Sequence, residues 1–255
     1  MEQIGHSAVD APAVRLQRHE GWAEVVLDRP GRRNAIDGAL ADALLDALRD
    51  AEADPALRAL VLRGEGGALC SGLDLKAFNA TPRPAWVAGF PARWREVHVA
   101  LASTRKVLVV ALERYAINGG AALALAGDVL VCGSDAYLQV GEITLGMPAP
   151  NNLAWLLMRH SEAVAARLAL LGDRVPAPEL LRLGIATEVV DDARVTARCA
   201  ELAARIAAWP AEGVLRMKAT LRAASLGTPP ADWFESMSRL GPLPGELRPG
   251  QMPRT

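Results

Sequence analysis

The sequence predicts an α/β protein, and three observations carry that expectation. Ala59 to Leu62 and Val107 to Leu112 are short, wholly apolar runs with the Val/Leu content of strands buried on both faces of a sheet. Strand patterns dominate up to about residue 140, and helical patterns dominate beyond it. The hydrophobic fraction is 51%, drawn mostly from Ala, Leu and Val with only 4% aromatics, which suits a large core of sheet and helix. At 255 residues the chain fits one domain with a short appendage, or two small domains.

The elements follow in order. Residues 13 to 28 read as two short strands around a turn at Glu20-Gly21, closed by the breaker cluster Asp28-Arg29-Pro30-Gly31. Asp37 stands where an N-cap belongs, and Leu40, Leu44, Leu45 and Leu48 follow at helical spacing to about residue 52. The strand at 59–62 leads into a glycine-rich loop, Gly64 to Gly72. Residues 78 to 92 are rich in Pro and aromatics without a clear period, so the next helix is expected from about Trp94 to Ser103. After the 107–112 strand, a turn at Asn118-Gly119-Gly120 opens a helix over Ala121 to Ala126. Val129 to Cys132 and Tyr137 to Val140 read as strands. Asn151 to Leu183 is mostly helical, a short strand lies near Thr187 to Val190, and helix continues to about Leu240. The Pro/Gly-rich tail, 241 to 255, reads as extended or loose, and no short-period repeat is visible.

Composition excludes several classes of function. A net charge of -1 offers no basic face for nucleic acid. Cys70, Cys132 and Cys199 are odd in number, widely spaced and without CxxC spacing, which argues against a disulfide framework or a zinc site. Residues 1 to 12 lack the basic and apolar regions of a signal peptide, and no 18-residue apolar stretch offers a membrane span. A cytoplasmic protein with no metal and no membrane partner is the expectation.

Two loops after apolar strands are the natural ligand sites. The first runs from Gly64 through Cys70-Ser71-Gly72-Leu73-Asp74-Leu75-Lys76; the second is Glu113-Arg114-Tyr115-Ala116-Ile117-Asn118-Gly119-Gly120. Glycines let each backbone turn sharply and approach a ligand, and the second loop opens a helix whose free N–H groups suit an oxyanion. A tight strand-to-helix connection without a ligand explains the same glycines. Leu69 stands where GxGxxG needs its third glycine, and neither a Walker GKS/GKT nor a GxSxG elbow occurs.

Taken together, four segments in order resemble the enoyl-CoA hydratase/isomerase (crotonase) family. They are Leu27-Asp28-Arg29-Pro30-Gly31-Arg32-Arg33-Asn34-Ala35-Ile36; Ala59 to Gly64 with Cys70 to Lys76; Tyr115 to Gly120 with Leu123 to Asp128; and Glu142-Ile143-Thr144-Leu145-Gly146 with Pro148. Weaker similarity continues through Leu183-Gly184-Ile185-Ala186 and around Lys218. The resemblance implies a spiral of strand-strand-helix repeats over residues 1–190 holding the acyl-CoA site. It further implies a helical oligomerisation region over 191–255 and assembly as a homotrimer or hexamer. No cofactor is implied, coenzyme A being part of the substrate.

The resemblance also assigns roles residue by residue. The backbone N–H groups of Leu73 and Gly119 would hold the thioester oxygen as it becomes an enolate. Glu142 would carry protons, its carboxyl raised towards working pH beside an apolar pocket; an exposed glutamate at a strand end is the alternative. Arg33, Ala35, Ser71, Gly72, Asp74, Lys76, Gly120 and Ala122 would line the CoA and acyl path. Lys76 reads equally as a phosphate contact or a solvated lysine, and Asp74 equally as a cap bracing its loop. Hydratases of the family carry a second glutamate three residues after the oxyanion glycine, where this chain has Ala122. One carboxylate suits a double-bond isomerase. The alternatives are a hydratase-like lyase or decarboxylase with a replaced acid/base, and a CoA-binding protein without catalysis. Asn151 and Asn152 stand where the family often has glycines, and capping the next helix is the favoured reading over facing the acyl group. Glu113 and Arg114 suggest a structural ion pair, and His98 and His160 read as surface or core residues.

Overall fold

A computed structural model describes residues 12–240. The chain begins with an antiparallel pair, β1 (Val14–Arg18) and β2 (Trp22–Leu27), around Gly21 in the left-handed region (φ 76°). Helix α1 (Gly38–Ala53) starts at Asp37, whose carboxylate accepts from the Leu40 N–H at 2.9 Å. Then come β3 (Ala59–Gly64), α2 (Leu75–Phe78), α3 (Trp86–Ser103), β4 (Val107–Leu112), β5 (Tyr115–Ile117) and α4 (Gly119–Leu125). The rest is β6 (Val129–Gly133), β7 (Tyr137–Gln139), a 3-10 turn (Glu142–Leu145), α5 (Pro150–Arg159), α6 (Glu162–Ala169), β8 (Arg174–Pro176), α7 (Ala177–Arg182), β9 (Glu188–Val190), α8 (Val195–Ala207), α9 (Ala211–Leu226) and α10 (Pro230–Leu240).

The main sheet has the order β1-β2-β3-β4-β6-β9, parallel from β2 onward. Its inner strands are apolar on both faces for a visible reason. Leu60, Leu62, Leu108 and Val110 face the main core, while Val61, Val109 and Val131 pack against Cys199, Leu202 and Ile206 of α8. A second sheet, β5-β7-β8, stands beside it. The chain alternates between the two: β4 then β5, β6 then β7. The bridge Cys70↔Ala116 extends the second sheet after β3, and the bridge Ile36↔Leu73 follows β2. Each pass is strand, short strand, helix, so the repeat is real in space. It has no sequence signature, because the connecting segments differ greatly in length.

Three expectations need correction. Helix α3 begins at Trp86, not Trp94. Gly89 and Pro91 mask its first turns in the sequence, yet Val87, Phe90, Trp94, Val97, His98 and Leu101 form one buried helical face. Strands β5 and β8 fall where the sequence suggests loop and helix. Three residues carry no period, and both strands are fixed by pairing with β7. The strand expected over 137–140 ends at Gln139, where the 3-10 turn approaches. The described part of the 191–255 region is helical; the tail and residues 1–11 lie outside the described residues. No helix among the described residues is long and apolar enough to cross a membrane.

Candidate active site

The site lies at the carboxyl ends of β3 and β4, where parallel strands feed loops. Asn34, fully buried and in the left-handed region (φ 54°), fixes the first loop. Its Nδ2 donates to the carbonyls of Glu65 (3.0 Å) and Ala68 (2.7 Å), and its Oδ1 accepts from the Arg29 N–H at 2.9 Å. Gly72 turns the chain at φ 88°, close against the Ile117 carbonyl. In the bridge to Ile36, the Ile36 N–H donates to the Gly72 carbonyl and the Asp74 N–H to the Ile36 carbonyl, each at 2.8 Å. That alternation turns the intervening Leu73 N–H away from Ile36. Gly119 is the first residue of α4, so its N–H has no partner within the helix. Leu73 and Gly119 line one cavity.

That cavity, of about 160 Å³, is largely apolar. Phe78, Phe90 and Trp94 form one wall, with Phe90 and Trp94 stacked at 6.1 Å between ring centroids. Glu142, Asn151 and Asn152 face it from the other side. Glu142 opens the 3-10 turn and is only 5% exposed. Burial pushes its carboxyl up to about 7, while the hydrogen bond from Asn152 pulls in the opposite direction. The Asn152 Nδ2 donates to Glu142 Oε1 at 2.7 Å and to the Asn118 carbonyl at 3.2 Å. Glu142 Oε2 is buried without a partner among the described residues.

A second, larger cavity of about 680 Å³ shares Ser71, Leu73, Leu75, Asn118 and Leu145 with the first, so the two are continuous. It is a basic groove lined by Arg32, Arg33, Lys76 and Arg174 with one acid, Asp74. Asp74 is committed elsewhere, capping α2 by accepting from the Ala77 N–H at 3.0 Å. Tyr115 and Tyr137 stack at 5.7 Å, and the Arg174 guanidinium stands 4.8 Å from the Tyr137 ring centre.

The sequence-derived site residues therefore divide. Glu142, Leu73, Gly119, Ser71, Arg33, Ala35, Asp74 and Lys76 line one cavity or both. Gly72, Gly120 and Ala122 line neither. A Cβ on Gly120 would stand 2.4 Å from the Cys70 carbonyl oxygen, so this glycine serves close packing. Ala122 is fully buried in the core. Asn152 does not cap α5, whose start at Ala149 has no side-chain cap; it turns inward to Glu142 instead. Glu113 and Arg114 are not ion-paired with each other: Glu113 accepts from the Thr196 hydroxyl and Arg114 lies over Tyr115. His98 is buried and accepts from Trp155 Nε1 at 3.0 Å; burial lowers it to about 3, so it is neutral. Sequence reasoning missed Asn118, Arg32, Arg174, the tyrosine pair and the aromatic wall. Two successive asparagines after Pro150 were the one local signal for Asn152, whereas Arg174 arrives on a three-residue strand without a pattern of its own.

Leu73, Gly119 and the buried carboxyl of Glu142 thus line one apolar chamber, and a basic groove is continuous with it. The profile of the enoyl-CoA hydratase/isomerase family matches residues 17–233. The chain belongs to this family. It is 36% identical over 225 residues to probable enoyl-CoA hydratase EchA14 of Mycobacterium tuberculosis, covering 86% of this chain and 85% of that protein. It is 30% identical over 213 residues to the 1,2-epoxyphenylacetyl-CoA isomerase of Escherichia coli, covering 82% and 81%. Among solved structures, a carnitinyl-CoA hydratase from Mycobacterium avium superposes with a TM-score of 0.78 at 28% identity, covering 90% of this chain and 89% of that one. The fold expected from the resemblance is the crotonase fold of this family.

Proposed function

We propose that the protein is an acyl-CoA enzyme that forms a thioester enolate and moves a carbon–carbon double bond from the 3 to the 2 position, with Glu142 as the single proton carrier. The observation that carries this reading is that Glu142 is the single carboxyl among the residues lining the apolar chamber, buried and with one oxygen unpartnered among the described residues. Coenzyme A lies along the basic groove, its phosphates met by Arg32, Arg33, Lys76 and Arg174, and its thioester enters the chamber between Leu73 and Gly119.

The thioester oxygen accepts from the Leu73 and Gly119 amides. Glu142 Oε2 takes a proton from C2; the C–H electron pair forms the C1–C2 double bond of a dienolate, and negative charge settles on the thioester oxygen. Hydrogen bonds from fixed amides strengthen as that charge grows, each lowering the barrier by roughly 3–4 kcal/mol. The protonated Glu142 returns the proton at C4, the electron pairs shift back, and the double bond rests between C2 and C3. No atom is gained or lost.

Hydration, the reaction named for several relatives, needs a held water as well as a proton donor. The Ala122 methyl offers neither and lines neither cavity, which supports isomerisation. The test is ultraviolet absorbance of the conjugated enoyl thioester. A 3-enoyl-CoA gaining absorbance supports the reading. A 2-enoyl-CoA losing it, with the 3-enoyl substrate untouched, means that water is added and overturns it.

A further inference from the structure

We infer that Asn118 and Asn152 form a clamp of positioning residues that locks the proton-carrying carboxylate to the loop presenting the Gly119 amide, leaving Glu142 Oε2 as the reacting oxygen. This rests on the enolate reading of the same site.

The Asn152 amide nitrogen has two acceptors, Glu142 Oε1 and the Asn118 carbonyl, so the orientation of its carboxamide is fixed: turned over, an oxygen would face two oxygens. Asn152 is 2% exposed and Glu142 is 5% exposed, so water does not substitute for that bond. With Oε1 engaged, Oε2 is the oxygen left unpartnered.

Asn118 completes the clamp from the other side. Its Oδ1 accepts from the Gly141 N–H at 2.9 Å, one residue before Glu142. Its own N–H donates to the Gln139 carbonyl at 2.8 Å, and its carbonyl also accepts from the Ala122 N–H at 3.2 Å. These bonds hold a backbone at φ 53°, ψ -118°, a region that non-glycine residues avoid. That conformation sets the direction of the next amide, Gly119. The same two asparagines therefore fix the base and one oxyanion donor relative to each other. A merely structural pair would affect folding alone; a clamp alters proton transfer in the folded protein.

The test is exchange of C2 hydrogen for deuterium from heavy water in butyryl-CoA, followed by NMR across a range of pH. The saturated thioester needs enolate formation only, with no double bond to move. In Asn152→Leu, and in the isosteric Asn152→Asp, exchange falls by about tenfold or more and its pH midpoint moves upward. The Leu variant removes a donor that favours the carboxylate, and the Asp variant adds a like charge. KM stays within about twofold of wild type in the Leu variant, since the CoA groove is untouched. Asn118→Gly, which accepts the same backbone conformation, also slows exchange by deleting only the Gly141 tie. Wild-type exchange rate and midpoint in folded Asn152→Leu and Asn152→Asp overturn the clamp. Absence of exchange in the wild type, with butyryl-CoA bound, overturns the enolate reading instead.

Discussion

Asn152 Nδ2 stands 2.7 Å from Glu142 Oε1, both side chains buried, so the one carboxyl lining the apolar chamber is held at one oxygen and unpartnered at the other among the described residues. The pair ties the pH response of the protein to the geometry of its chamber.

Glu142 makes stability depend on pH. Its carboxyl rises from an ordinary 4.5 to about 7 in the folded protein, so the folded state keeps a proton that the unfolded state gives up. The resulting stability is fully present below pH 4.5 and is lost as pH rises to about 7, amounting to roughly 3 kcal/mol. Glu142→Gln removes this loss. Melting curves of variant and wild type will diverge between about pH 5 and pH 8, with the variant the more stable at the upper end.

The two glycines at the start of α4 will respond differently to alanine. In Gly120→Ala the new methyl meets the Cys70 carbonyl oxygen at 2.4 Å, backbone that cannot yield, and costs about 1–3 kcal/mol or more. In Gly119→Ala it meets the flexible end of Ile36 at 2.9 Å and the Trp94 ring at an ordinary 3.7 Å, and the helix gains propensity. Denaturant titration should show Gly120→Ala destabilised and Gly119→Ala near wild type, with Gly119→Ala impaired in turnover because the methyl intrudes on Ile36 and Trp94 in the chamber wall.

The basic groove predicts which substrates feel its loss. Lys76→Ala, Arg33→Ala and Arg174→Ala should each raise KM for a CoA thioester by roughly fivefold at low salt, less at high salt, because these side chains are exposed. Thioesters of N-acetylcysteamine, which carry no phosphates, should keep their KM. Equal losses for both substrates would contradict the assignment.

Asn34 predicts a stability defect in the loop that carries Leu73. Asn34→Ala strands the Arg29 amide and the Glu65 and Ala68 carbonyls and puts alanine at φ 54°. The expected cost is about 3 kcal/mol. Asn34→Gly should lose less, since glycine accepts that backbone. Chemical denaturation of both variants checks the order.

The scaffold is legible in the sequence where burial imposes a pattern. The all-apolar runs at 59–62 and 107–112 are central parallel strands because each face has its own core. Asp37 is an N-cap because the first turn of α1 leaves an amide to satisfy. The loops around Leu73 and Gly119, and Glu142, are visible through ordered motifs. Contacts decided in three dimensions are not visible. Asn152 reaches Glu142 across 10 residues and Asn118 across 34. Arg174 enters the groove because β8 pairs with β7, and Trp94 and Phe90 face the apolar chamber only after α3 forms through Pro91.

The most direct test of the single-carboxylate account is conversion of a 3-enoyl-CoA by wild type and by Glu142→Gln, with CoA thioester binding measured on both by calorimetry. The account predicts that the variant binds the thioester as wild type does while its turnover falls by about 10²–10⁴-fold, the range for a lost general acid/base. Turnover close to wild type in a variant that binds normally would mean that another group carries the proton, and the account would fail.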